Sequence, residues 1–139
     1  MSIVLTFYDL VSDLQTLVVN RLNDETLCLF QGSHTPGQGD NTATYLGIEC
    51  NFGGYARVPL IFTAAVLNSD SVGQTGSQIC SWIASSSANL PQSVGGVFCL
   101  DSSGQVAWSD LLPGGSVILA ATGQGVSYQA TVTQGEQIT

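Results

Sequence analysis

The chain has 139 residues, enough for one domain with its own core and too few for two. Charged side chains make up only 9%, where about a quarter is usual, and the balance is one-sided at a net charge of -8. Phosphate-contacting nucleic-acid surfaces and anionic membranes both select for cations, and with Arg21 and Arg57 as the sole basic residues those partners are excluded. The polar surface must then be built from Ser, Thr, Asn, Gln and Gly, which lose water against a protein partner at less cost than Lys or Glu.

In chain order, Met1–Tyr8 reads as an extended arm whose Ile3, Leu5, Phe7 and Tyr8 are candidate partner contacts. Apolar residues at Leu10, Val11, Leu14, Leu17, Val18 and Leu22 then step by three and four, which predicts an amphipathic helix. Asp9 and Asp13 suit its positive end and Arg21 its negative end. It is the one helix the pattern predicts. Glu25–Gln31 is a short strand in which Leu27 and Leu29 share one face and Cys28 and Phe30 the other, predicting burial on both sides. Gly32–Thr44 is a long loop, and loops of this length in compact domains are often functional. His34, Thr35 and Asp40 within it are candidate contacts. A lone loop histidine is most often incidental, although His34 near Asp40 has the chemistry for a metal or a pH response.

Gly53-Gly54 allows a bend, Tyr55–Val58 reads as a strand, and Pro59 places that strand at a sheet edge. Arg57, one of two cations, is expected to pair with a carboxylate, Glu49 or Asp101, in a structural role. Asn68-Ser69-Asp70 and residues 73–76 form a turn-rich connection. Gln78–Ala84 is a strand with Cys80 and Trp82 on one face. Val94–Trp108 then makes a hairpin. Asp101 to Gly104 supplies its turn, with Gly104 free to take positive φ and Asp101 able to accept from nearby amides. Pro113-Gly114-Gly115 turns into a strand over Ser116–Thr122, and Gly123-Gln124-Gly125 into a last strand over Val126–Thr133. That strand alternates Val126, Tyr128, Ala130 and Val132 inward with Ser127, Gln129, Thr131 and Thr133 outward. Ser127, Gln129 and Thr131 are therefore candidate contacts. The tail from Gln134 is expected to be loose.

Cys28, Cys50, Cys80 and Cys99 contain no C-x-x-C pair, which removes zinc-ribbon and thioredoxin-type sites. Three of them lie in apolar strand-like runs, where free cysteine packs as a small hydrophobe, and disulfides are the alternative. No basic n-region with a cleavage site precedes Asp9, and no apolar run is long enough to span a bilayer, so synthesis in a cytoplasm is expected. G-x-S-x-G is absent, there is no lysine for a P-loop, and the glycine pairs at 37–39 and 123–125 lack a third glycine and a helix. The sequence asks for no catalytic residue, cofactor or metal. Trp82 and Trp108 have the chemistry to line a carbohydrate groove, although tryptophans at strand spacing more often fill a core.

F-G-G-Y-A-R-V at Phe52–Val58, followed by V-G-G-V-F-C-L-D-S-S-G at Val94–Gly104, resembles a group of small virion proteins from tailed bacteriophages. Glu49, Phe52, Gly54, Tyr55, Ala56 and Arg57 match the first motif, and Gly96, Phe98 and Asp101 the second. The resemblance spans Thr26–Val132. It departs at Gly47-Ile48-Glu49-Cys50, where a more acidic run is expected. It implies a single domain over residues 1–139, with arm and helix over 1–24, a jelly-roll-like antiparallel β-sandwich over 25–133, and a tail over 134–139. It also implies a non-enzymatic capsid decoration (cement) protein that assembles as a homotrimer on the major capsid protein at the outer surface of the head. Baseplate or tail-fibre components, and a carbohydrate-binding module, are the alternatives. Tyr55, Arg57, Asp101 and Gly104 take structural roles in this reading.

Overall fold

The structure, a computed structural model, describes residues 23–62, 66–67 and 73–134. The predicted arm, the helix through Leu22, the Asn68-Ser69-Asp70 turn and the end of the tail lie outside the described residues. What is described is mainly β, with antiparallel sheets and one helix of five residues. It gathers into two compact units.

The larger unit comprises Glu25–Pro59 and Cys80–Tyr128. Its sheet is centred on β1 (Thr26–Gln31) and β6 (Gln92–Leu100), paired antiparallel from Thr26 opposite Leu100 to Phe30 opposite Gly96. Leu27, Cys28, Leu29 and Phe30 are all fully buried, as the unbroken apolar run predicts for a central strand covered on both faces. At one edge lies β2 (Val58–Pro59), next to β1. The predicted strand over Tyr55–Val58 is therefore shorter than expected. Tyr55 and Arg57 are drawn off into side-chain bonds described below, while Pro59 holds the edge position expected of a residue with no N–H to give.

On the other side of β6 runs β7 (Val106–Leu111), and the turn between them is the expected one. Asp101 Oδ1 accepts from the amides of Ser103 at 2.8 Å and Gln105 at 3.0 Å, and Gly104 takes φ +81°. Beyond β7 the same side of β6 is taken up by β8 (Val117–Leu119). Gly96 faces Leu111, yet Val94, two residues back, faces Val117 rather than residue 113; four extra residues are looped out between the strands. The strand predicted over Ser116–Thr122 is confined to β8, because Gln124 Oε1 takes the amides of Ala120 and Ala121 at 2.7 and 3.1 Å and turns the chain.

The two faces of this sheet differ. One carries Cys28, Phe30, Phe98 and Leu100 against Tyr45, with Ile48 and Val106 at its margin. Tyr45 belongs to α1 (Thr42–Leu46), whose first three residues the sequence pattern assigns to the long loop. The opposite face carries Cys99 and Trp108, and Tyr128 of β9 (Gly125–Tyr128) stands 6.4 Å from the Trp108 ring. β9 pairs with β5 (Cys80–Ile83), which buries Cys80 and Trp82 and exposes Ser81 and Ile83 in the expected alternation.

In the smaller unit β4 (Gly73–Gly76) lies between β3 (Val66–Leu67) and β10 (Thr131–Gln134). Among the described residues Leu60, Phe62, Ser77 and Ala130 are buried in it. The Ser77 hydroxyl accepts from the Ala130 amide at 3.0 Å, while the Ser77 amide gives to the Ala130 carbonyl at 2.8 Å. The last predicted strand is thus two strands. Alternation runs unbroken from buried Val126 to exposed Thr131, but the partner changes from β5 to β4 across Gln129–Ala130. Side chains of Val132 and Thr133 lie outside the described residues.

Candidate functional site

Three polar clusters surround the β1–β6 pair, each built on a residue that the strands fix in place. The first lies on β1's outer edge. Leu29 turns its N–H away from β6, and Tyr55 Oη accepts it at 3.1 Å while giving its own proton to Glu49 Oε1 at 2.8 Å. Arg57 then closes on Glu49 with Nε and Nη2, each 2.8 Å from a carboxylate oxygen. This is the paired-fork geometry that makes Arg–carboxylate bonds strong. Burial works to raise the Glu49 pKa, but the bonds from Arg57 and Tyr55 outweigh it and hold the carboxyl below its ordinary value. Burial and the same carboxylate push the Tyr55 phenol upward and the Cys28 and Cys50 thiols to about 12. Arg57 therefore pairs with Glu49 of the two candidates, and Asp101 serves the hairpin turn.

The second cluster organises the long loop. Asp40 Oδ2 accepts from Tyr45 Oη at 2.7 Å, Gly37 N at 2.9 Å and His34 Nε2 at 2.8 Å. Those bonds, the Tyr45 one first, lower the Asp40 pKa to about 2. A carboxylate only accepts, so His34 carries a proton on Nε2 here. Tyr45 has spent its one proton on Asp40, which makes Ser109 the donor in the 2.7 Å contact between their oxygens. The His34 ring stands edge-on to both Phe30 and Tyr45, with centroids 5.9 and 5.4 Å away. His34 is thus tied into the loop by its own neighbours. Asn41 continues the order by capping α1, where its side chain accepts from Thr44 N at 3.0 Å. Thr42 fastens that helix to the hairpin, accepting from Val106 N at 3.0 Å.

The third cluster is inside. Glu25, 4% exposed, receives the Cys99 thiol at 3.1 Å and the Trp108 indole N–H at 3.2 Å on one oxygen. Burial and that bond push the Cys99 thiol upward. Sequence reasoning missed Glu25 and Tyr45 as polar centres; a carboxylate immediately before a fully apolar strand was the available signal for the first.

The other predicted contacts are scattered. Thr35 is exposed on the loop, as are Ser127 on β9, Gln129 after it and Thr131 on β10. Ile3, Leu5, Phe7 and Tyr8 lie outside the described residues. Trp82 is 3% exposed and spends its N–H on the Ala56 carbonyl at 2.8 Å, so it has no face for a sugar ring. All four cysteines are buried and none is in a disulfide. Among the described residues no group of three or more His, Cys, Asp or Glu stands together as a metal set, and no helix is long and apolar enough to cross a membrane. Compared with known proteins, the chain matches no family model, no curated sequence and no solved structure.

Proposed function

We propose that the chain is a non-enzymatic virion structural protein of a tailed bacteriophage. In this reading it is a capsid decoration (cement) protein that clamps the major capsid protein at the outer surface of the head after synthesis in the host cytoplasm. One observation carries the reading: Glu25, Asp40, Glu49 and Arg57 are taken up in internal bonds, so that among the described residues Asp24 and Asp110 are the acids left exposed and most outward side chains are uncharged. Ser127, Gln129 and Thr131 are exposed polar positions, and Ile79, Ile83 and Ile118 are exposed aliphatic ones. Such surface loses water readily against protein. Tyr55, Arg57 and Asp101, from the motifs that carry the resemblance to phage virion proteins, also make side-chain hydrogen bonds in the larger unit.

The same reading carries a jelly-roll-like β-sandwich with an N-terminal amphipathic helix, assembled as a homotrimer. Its capsid contacts are Ile3, Leu5, Phe7 and Tyr8 of the arm, which add to a partner's sheet edge, and His34, Thr35 and Asp40 of the loop. Binding to heads stripped of this protein tests it. Saturable binding, abolished by deleting residues 1–8 with the circular dichroism spectrum unchanged, is the expected result. A stable monomer that ignores stripped heads would defeat the cement role, and binding to tails instead of heads would move it to the baseplate or fibre.

A further inference from the structure

Edge strands of a sheet are usually guarded by a proline, a charge or a bulge, because their free amides and carbonyls invite another strand. In the larger unit β2 carries Pro59, and β7 carries Asp110. β8 carries neither. Residues 111–135 hold no charged side chain at all, in a chain whose net charge is -8. Val117 is 38% exposed and Ile118 is 65% exposed.

The open side of β8 follows from the hydrogen bonds of β6. Ser93 directs its carbonyl to Gly32 N at 3.1 Å, on β1's side. Gln92 and Val94 therefore bond β8 through Leu119 and Val117, and Ile118, opposite Ser93, turns its N–H and C=O outward. Among the described residues neither group has a partner.

We propose that β8 is a self-pairing edge: two copies of this chain join β8 to β8 antiparallel about a twofold axis at Ile118. Each Ile118 N–H then bonds the other's C=O, and the sheet continues from β6 through both copies. A second copy is the occupant that the charge pattern selects. Antiparallel pairing about that axis sets Ile118 opposite itself, Val117 opposite Leu119 and Ser116 opposite Ala120, so a charge on this strip would lie close to its own copy, whereas these neutral residues pair without that cost. A basic partner would gain nothing at this neutral strip. Three residues make a short edge, so the pair buries less than the roughly 1,200 Å² of a standard interface and forms at high concentration. The pairing rests on the strand edge alone and not on the virion reading.

Light scattering on wild type and Ile118→Lys over the same dilution series tests the pairing. At the concentrated end wild type should reach twice the mass of the variant, whatever the basal assembly. Amide exchange at Ile118 in wild type should slow as concentration rises. Ile118 is exposed, and matching melting temperatures will show that the lysine leaves the fold intact. Equal masses throughout, concentration-independent exchange at Ile118, or polydisperse growth in place of a closed doubling would each overturn the proposal. Loss of capsid binding with the doubling preserved would instead count against the cement role alone.

Discussion

Tyr55 holds the Leu29 amide, which would otherwise lack a partner, and shares Glu49 Oε1 with Arg57. Tyr55→Phe keeps the ring and removes only the bridge. It should destabilise the fold by about 1–3 kcal/mol, the cost of leaving a buried amide unpaired, as read from urea unfolding. Asp40 gives a pH signature. Its pKa is depressed to about 2, so the stability it contributes is fully present above the ordinary aspartate value of about 3.9 and is lost as pH falls towards 2. The wild-type melting temperature should therefore fall across that window more steeply than that of Asp40→Asn, and the two curves should draw together at its acid end. The four thiols are buried and neutral, with Cys28 and Cys50 pushed up to about 12. A thiol-specific disulfide reagent should label them only after denaturation, and a reductant should leave the melting temperature unchanged. A native disulfide would instead cost roughly 2–4 kcal/mol on reduction.

Among the elements, β6 has no room for added volume at Gly96. A Cβ at Gly96 would run into the Asp110 carbonyl and the Phe30 ring, both held by neighbouring strands. Gly96→Ala should cost about 1–3 kcal/mol by overpacking. Gly104→Ala has open space around it, and its cost, on the order of 1–2 kcal/mol, would come from φ alone. A lowered urea midpoint for both, with the hairpin retained, is the expected outcome. The hairpin itself was legible in the sequence because its information is local: an aspartate, a glycine and two alternating arms. β1 was legible for a related reason, since four consecutive apolar residues leave no face for water. α1 was not, because T-A-T-Y-L shows no helical period and owes its shape to the Asn41 and Thr44 side chains bonding each other's amides. Nor was the break between β9 and β10 legible: alternation records which face is buried and stays silent about which strand lies alongside. The loop's order escaped for want of range, since Asp40 finds Tyr45 only once Phe98 has given that ring a stacking partner 5.3 Å away.

For the whole molecule, net charge sets how readily copies approach. Near the isoelectric pH of about 4.1 the repulsion from eight net negative charges disappears. Light scattering should therefore show association strengthening as pH falls from 7 towards 4, with added salt producing the same change at pH 7. The order of the strands has a consequence for how the chain comes off the ribosome. Thr26 waits for Leu100, and β4 waits for β10, which ends at Gln134. Through most of synthesis, then, β1 has only β2 beside it and β4 only β3, each with a side of open backbone that a neighbouring nascent chain can capture. The β1–β6 and β4–β10 pairings both close late, and the smaller unit's sheet completes only once Gln134 has emerged. A truncation that removes β10 should leave β4 paired with β3 alone and open on its other side. Overexpression should reward slower translation and cooler growth with a larger soluble fraction, since pairings so distant along the chain close slowly.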